Sequence, residues 1–323
     1  MMLQKMILMW VLILSLIMSM SSSYWFTLWM TLEINMMVFI PMMNSKNFLS
    51  SNSMMYYYII QSLSSSLFFF SSLMSYYYFN QIFTYIMMIS MLIKIGSAPF
   101  HTWYPQISEG LSYFSFFILS TLQKTIPLNI ISIINNHYIM LFIFMSAIMG
   151  SLGGYNQMSL KKILAFSSIS HLSWMLTLIL TSQYFWLMYF LIYMMILLKI
   201  VFFLSSNNYM YMNDMNCMKM SIFNKMYLLT LFLSLGGMPP FLGFFSKWIS
   251  ITFIVNKFPM ILVILIMSSL VNLFFYIRIM FPMIMNINNI MKSPLINSKY
   301  TSFNFLIINF MMIIMIVPLM FFV

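Results

Sequence analysis

Acid is nearly missing from this chain. Glu33, Glu109 and Asp214 are its acidic side chains, set against 14 Lys and Arg among 323 residues. With 63% hydrophobic residues, 5% charged residues and a mean hydropathy of +0.97, no soluble domain could face water this way. The composition indicates an all-α polytopic membrane protein. A single cysteine, Cys217, excludes a disulfide framework, iron–sulfur ligation by cysteine clusters and Cys-x-x-Cys redox chemistry. No metal site and no cofactor bound by this chain are expected. Alanine is also scarce: Ala98, Ala147 and Ala165, with one arginine, Arg278, against 42 Met, 34 Phe and 20 Tyr. Alanine is the best helix former and common in membrane helices, so its scarcity points to coding rather than folding. Residues with A/T-rich codons are inflated, and the Met excess is what reading AUA as Met produces, as in many animal mitochondria.

What is abundant is apolar sequence. Windows of roughly 20 apolar residues predict eleven spans, at 3–20, 24–43, 54–77, 82–104, 113–134, 138–154, 162–181, 184–206, 226–255, 258–281 and 301–322. The third is rich in Ser and Tyr, which suggests packing against protein more than lipid. No cleavable targeting peptide is expected, because no small-residue cleavage site follows residues 3–20. The formal charge of +11 would suit a nucleic-acid partner, but its distribution fits membrane orientation instead. Lys5, Lys46, Lys161, Lys162, Lys219, Lys225, Lys292 and Lys299 share one side of an eleven-span topology, and Lys257 alone faces the other. By the positive-inside rule the N-terminus faces the matrix and the C-terminus the intermembrane space.

Two of the predicted helices are broken. The fourth span contains Gly96, Ser97, Ala98, Pro99 and Phe100; the ninth contains Gly236, Gly237, Met238, Pro239, Pro240, Phe241, Leu242 and Gly243. An interior proline costs about 3 kcal/mol and frees backbone carbonyls. In a bilayer this is tolerated where protein or a water-lined cavity satisfies them. Matched Gly/Pro interruptions are the mark of a transporter-like inverted repeat. The expected organisation is a first five-helix repeat over 1–134, a second over 135–282, and a loop with a C-terminal helix over 283–323.

Charge within the spans is the functional signal. Glu33, Lys94, Lys124, Lys199 and Lys247 lie in spans, with His171 in another, although each charge at a helix centre costs roughly 2.5–3.5 kcal/mol on insertion scales. Glu33, Lys94, Lys124, His171 and Lys247 fall near mid-span, predicting a row along the membrane midplane. Burial disfavours the charged form of a lysine and a nearby carboxylate favours it, so such lysines suit proton transfer. Glu33, the one carboxylate in a span, is the partner for Lys94 in an electrostatic switch; a static ion pair is the alternative. His171 titrates near neutral pH, with Ser167, Ser168 and Ser170 to hold water, or else is a packing residue. His101 and Lys199 are further relay candidates, although Lys199, like Arg278, lies where it can snorkel to the interface. His137 reads as a surface residue, Glu109 as a solvated loop residue and Asp214 as part of a polar loop. The glycine-rich run 150–154 lacks the strand and Lys-Ser/Thr of a nucleotide loop and reads as a helix end.

These residues carry a resemblance. LEIN at 32–35, KxGSAPFHxW at 94–103, QK at 123–124, SLKKILAFSSISHLSWM at 159–175 and LSLGGMPPFLGFFSKW at 233–248 resemble the antiporter-like membrane subunits of respiratory complex I. The match runs in order from the second span to the tenth. Lysine at Lys247 resembles the subunit 2 branch of that family rather than subunit 4, which carries glutamate there. Eleven spans resembles the form in insects and vertebrates, which lacks three N-terminal helices of bacterial relatives. The resemblance implies a mitochondrial inner-membrane subunit that relays protons, with Glu33 and Lys94 as the switch pair, Lys124 the central relay and Lys247 the terminal lysine. It implies that FMN, iron–sulfur clusters, NADH and ubiquinone are used on other subunits. The implied partners are other membrane-arm subunits, including paralogous antiporter-like and small accessory subunits, and the lipid bilayer, with cardiolipin at the lysine-bearing loops. Lys199 departs from the family pattern. The rivals are a stand-alone or multisubunit cation/proton antiporter subunit and a structural spacer among pumping paralogues.

Overall fold

Apolar runs of the expected lengths fold into helices. The computed structural model describes residues 2–285 apart from 46, 79–80, 135, 183 and 216–221. The expected eleventh span and Lys46, Cys217, Lys219, Lys292 and Lys299 lie outside the described residues. The chain divides into two units, Met1–Met149 and Gly150–Val323.

The first unit contains α1 (Met2–Ser21), α2 (Trp25–Met43), α3 (Phe48–Tyr78), α4 (Gln81–Ile95), α5 (Trp103–Gly110), α6 (Tyr113–Ser120) and α7 (Leu122–Ile134), and α8 (Ile139–Gly154) begins in it. Helix α3 packs on α2, α4 and α5, while α7 meets α1 and α4. In the second unit α9 (Leu160–Thr181), α10 (Phe185–Ser206), a 3-10 turn at Met212–Met215, α11 (Ile222–Gly236), α12 (Leu242–Ile254) and α13 (Pro259–Met285) follow. Buried along most of its length, α9 touches α10, α12 and α13. Its last carbonyl, on Thr181, accepts from Lys257 Nζ at 2.8 Å, a lysine cap on a helix C-terminus.

Six described segments are long and apolar enough to cross a membrane, among them Leu160–Thr181 and Pro259–Pro282. Helix α3 is not one of them, because serine lowers its hydropathy, yet it has 31 residues. At about 1.5 Å each these exceed the about 30 Å hydrocarbon thickness. Its faces are inverted relative to a soluble helix. Ser50, Ser53, Tyr57, Gln61, Ser64 and Ser71 face inward, whereas Leu49, Met55, Ile59, Leu63, Phe70 and Leu73 are exposed. Interior serines donate to their own helix, as Ser64 Oγ does to the Gln61 carbonyl at 2.9 Å, so no hydroxyl needs water.

The break expected in the fourth span separates α4 from α5. Other expectations are revised: Glu109 lies half-buried on α5 rather than in a solvated loop. The fifth span bends at Thr121, whose backbone leaves the helical region (φ −120, ψ −87); no Gly or Pro at that position marked the bend in sequence. Lys161 and Lys225, read as loop charges, begin helices α9 and α11 and are buried. The expected reach of Arg278 towards the span end is not revised: its Nη2 donates to the carbonyl of Gln157, just beyond α8, at 2.9 Å. As expected, α8 ends at Gly154 and His137 is exposed. Asp214 accepts the amides of Met210 and Tyr211 at 2.9 and 2.8 Å, a local turn-capping role.

Helices α11 and α12 approach each other backbone to backbone at Gly243. A Cβ on Gly243 would fall on the Ser234 carbonyl oxygen, and backbone on both sides leaves nothing to yield. Gly243→Ala is expected to destabilise the chain by about 3 kcal/mol or more. Its membrane level relative to the parent chain, followed by quantitative mass spectrometry, should fall sharply; an unchanged level would refute the packing.

Candidate functional site

The two breaks end their helices in the same way. At the end of α4, Gly96 has φ +75, and at the end of α11, Gly237 has φ +78, a conformation glycine adopts without penalty. The Ser97 N–H donates to the Leu92 carbonyl and the Gly96 N–H to that of Ile93, each at 3.1 Å. In the second unit the Met238 N–H reaches the Leu233 carbonyl and the Gly237 N–H that of Ser234, again at 3.1 Å. Both are Schellman caps, and each is followed by a cis X–Pro bond, Ala98–Pro99 and Pro239–Pro240.

Side chains complete the first cap. Trp103 Nε1 donates to the Ile93 carbonyl and Gln61 Nε2 to that of Lys94, both at 3.2 Å. Lys94 lies buried in the last turn of α4, where the negative end of the helix dipole attracts a cation. Glu33, half-buried on α2, is near enough for its charge to act on the Lys94 ammonium. Lys124, buried on α7, stands 4.5 Å from the centroid of the Tyr104 ring on α5, within cation–π range. Beside it Tyr57 Oη donates to Gln123 Oε1, and Gln123 Nε2 donates to Asn35 Oδ1, both at 2.9 Å. His101 is buried after the break, with Nδ1 3.3 Å from the Pro99 carbonyl.

In the second unit the lysine is itself the cap. Lys247 rises from α12 and its Nζ donates to the Gly236 carbonyl at 2.7 Å, the C-terminal end of α11. The lysine chain runs over Gly237, where a Cβ would come within 2.7 Å of Lys247 Cδ. His171, on α9, pairs its Nδ1 with Tyr189 Oη at 2.8 Å, and the Tyr193 ring centroid is 5.0 Å from its own. His171, Tyr189, Tyr193, Ser234, Gly243 and Ser246 line a cavity of about 10 Å³, room for about one water. That cavity joins His171 to the last turn of α11 at Ser234 and the start of α12 at Gly243. On the far side of α9, Asn272 Nδ2 donates to Ser170 Oγ at 2.6 Å. Lys199 is half-buried on α10.

Within the first unit, then, Glu33 lies within electrostatic range of Lys94, and Lys124 sits on α7, which packs on α4. Within the second, His171 lines a small cavity together with Ser246, the residue before Lys247 on α12. Tyr57, Gln61, Tyr104, Tyr189 and Asn272 were not singled out in the sequence. The available signal was polar residues four apart in apolar helices, as at Tyr57 and Gln61, which marks one buried face.

The chain matches the family described as NADH:quinone oxidoreductase/Mrp antiporter, transmembrane region, over residues 22–273. It is 37% identical over 298 residues to the NADH-ubiquinone oxidoreductase chain 2 of Anopheles gambiae, covering 87% of each chain. With the chain of the same name from Rhipicephalus sanguineus it shares 40% identity over 306 residues, 94% of this chain and 95% of that one. Among solved structures, respiratory complex I from Thermus thermophilus matches with a TM-score of 0.78 at 17% identity, covering 85% of this chain and 69% of that chain. The Mrp complex from Dietzia sp. DQ12-45-1b matches with a TM-score of 0.73 at 15% identity, covering 91% and 62%. These two likenesses are of fold.

The two positive-φ glycines give a comparison. Alanine at either costs about 1–2 kcal/mol in backbone strain. At Gly96 the nearest atoms are side-chain carbons of Tyr104 and Trp103 at 3.2 and 3.3 Å, whereas at Gly237 three Lys247 atoms lie within 2.9 Å. Gly237→Ala should lower the Tm of the solubilised protein at least as much as Gly96→Ala, and it alone should displace Lys247 from the Gly236 carbonyl. Tm values together with a cryo-EM map of the Gly237→Ala protein check both parts.

Proposed function

The chain belongs to the NADH:quinone oxidoreductase/Mrp antiporter membrane family, and we propose that it is an antiporter-like subunit of the membrane arm of a proton-pumping NADH:ubiquinone oxidoreductase. The observation that carries this is identity of 37–40% along nearly the whole chain with proteins named for that complex. Buried lysines placed at capped helix breaks support it. The location is the mitochondrial inner membrane, with the N-terminus in the matrix and the C-terminus in the intermembrane space. The architecture is eleven spans, with inverted repeats over 1–134 and 135–282 and an added helix in 283–323. The partners are other membrane-arm subunits, including paralogous antiporter-like and small accessory subunits. FMN, iron–sulfur clusters, NADH and ubiquinone act on other subunits, and cardiolipin binds the lysine-bearing matrix side, which lipid analysis of the purified complex would test.

The relay works by electrostatics at fixed positions. A proton on Lys94 is stabilised by the Glu33 charge, and any movement of that carboxylate changes how strongly Lys94 holds it. Lys124 accepts the proton against the Tyr104 ring face, which favours the ammonium. His171 keeps one ring nitrogen on Tyr189 and lines a cavity with room for about one water, through which it exchanges protons. Lys247 is the terminal site, held on the Gly236 carbonyl. His101 and Lys199 are secondary sites, and Gly96, Pro99, Gly237, Pro239 and Pro240 form the hinges.

A native gel of solubilised inner membranes, stained for NADH-dependent dye reduction, tests the assembly. The chain is expected in the roughly megadalton active band. Recovery solely from a smaller, NADH-inactive band would favour a cation/proton antiporter. Lys247→Met in the assembled complex should lower coupled turnover roughly tenfold or more, the order of loss on removing a proton-transfer group. An unchanged ratio of protons moved to NADH oxidised would make the subunit a spacer.

A further inference from the structure

Neither relay lysine of the first unit, Lys94 or Lys124, sits on an uninterrupted helix. Lys94 lies in the last turn before a break, and Lys124 follows the bend at Thr121 by three residues. Local helix geometry alone therefore leaves the spacing of the two amines free to drift. Helix α3 runs past both. Tyr57 and Gln61 are four residues apart, hence on one face with Cβ atoms roughly 5–6 Å apart, and both are buried. Gln61 Nε2 grips the Lys94 carbonyl at 3.2 Å. Tyr57 Oη grips Gln123, the residue before Lys124, at 2.9 Å. The same Gln123 donates to Asn35 at 2.9 Å, two residues from Glu33 on α2.

We propose that Tyr57 and Gln61 are positioning residues of the proton relay, through which α3 sets the spacing of Lys94 and Lys124 and, by way of Gln123 and Asn35, their registration with Glu33. The proposal rests on the relay reading above. The directions of the bonds are consistent: a hydroxyl donates to an amide oxygen, whose own N–H₂ donates to the next amide oxygen. Both ends of the Gln123 amide are committed, so its plane is fixed. Stability alone gives no reason for this chain, since replacing both partners of a buried hydrogen bond by apolar groups of similar shape is often neutral. In a bilayer protein three such polar side chains meeting at one point have a positional use. Proton exchange requires donor and acceptor within hydrogen-bond reach, directly or through one water. A fixed ruler between two lysines on interrupted helices supplies that geometry.

The test uses the assembled complex, with protons moved measured per NADH oxidised, so that any loss of assembled material cancels. Tyr57→Phe, which keeps the ring and removes the hydroxyl, should lower this yield about two- to tenfold, the population change carried by one neutral hydrogen bond. Gln123→Met should do the same, and the double variant should be no worse than either single one, because the two residues act as one unit. A merely space-filling Gln123 would leave Gln123→Met at the parental yield. A parental yield in Tyr57→Phe and Gln123→Met, with Lys124→Met still uncoupled, would overturn the ruler and leave the relay standing. A parental yield in Lys124→Met as well would overturn the relay itself.

Discussion

Each broken helix exposes carbonyl groups that cannot turn to water, and satisfying them is the constraint on which the rest of the site depends. An unsatisfied backbone group in lipid costs several kcal/mol. The two breaks share one backbone remedy, a Schellman cap on a positive-φ glycine, which leaves the final carbonyls for side chains. Those side chains come from other helices: Gln61 and Trp103 in the first unit and Lys247 in the second. Capping thereby draws neighbouring helices to the break and fixes where the buried charges stand.

The same constraint explains the distribution of polar residues. Ser64, Gln61 and Tyr57 face inward on α3, and Ser268, Asn272 and Tyr276 on α13, while the exposed faces of both helices carry Leu, Met, Ile and Phe. Such an arrangement would be unstable in water and is the favourable one in lipid, where inward polar groups find partners and outward ones would not. Most inward serines answer to their own helix. Gln61, Gln123, Asn35 and Asn272, by contrast, reach other helices. Their longer amides extend past their own helix, so here they work between helices.

Long apolar runs, both breaks and the buried charges were legible in sequence because each is a local signal: length, Gly/Pro, or an ion among hydrocarbons. What partners those charges was not. Gln61 meets Lys94, and Tyr57 meets Gln123, across separations of 33 and 66 residues. The bend before Lys124 carries no helix breaker at Thr121; its N–H is instead shared between the Phe117 and Ile118 carbonyls, which no propensity scale registers. Lys161 and Lys225 were misread as loop charges because positive charge near a span end is ordinarily solvated, whereas here the helices begin before it. Lys257 kept its expected place outside a span but gained a capping role on α9.

The two units satisfy the same break with different chemistry, and this separates the roles of their lysines. In the first unit neutral donors hold the carbonyls, so the cap persists whether Lys94 or Lys124 carries a proton. In the second the donor to Gly236 is the Lys247 amine itself. A charged donor makes a hydrogen bond roughly twice as strong as a neutral one. Deprotonating Lys247 therefore weakens the cap on α11, and loosening that cap in turn weakens the hold on the proton. The first unit can pass charge along a rigid frame. In the second, the charge on Lys247 and the strength of the cap on α11 are coupled through one hydrogen bond.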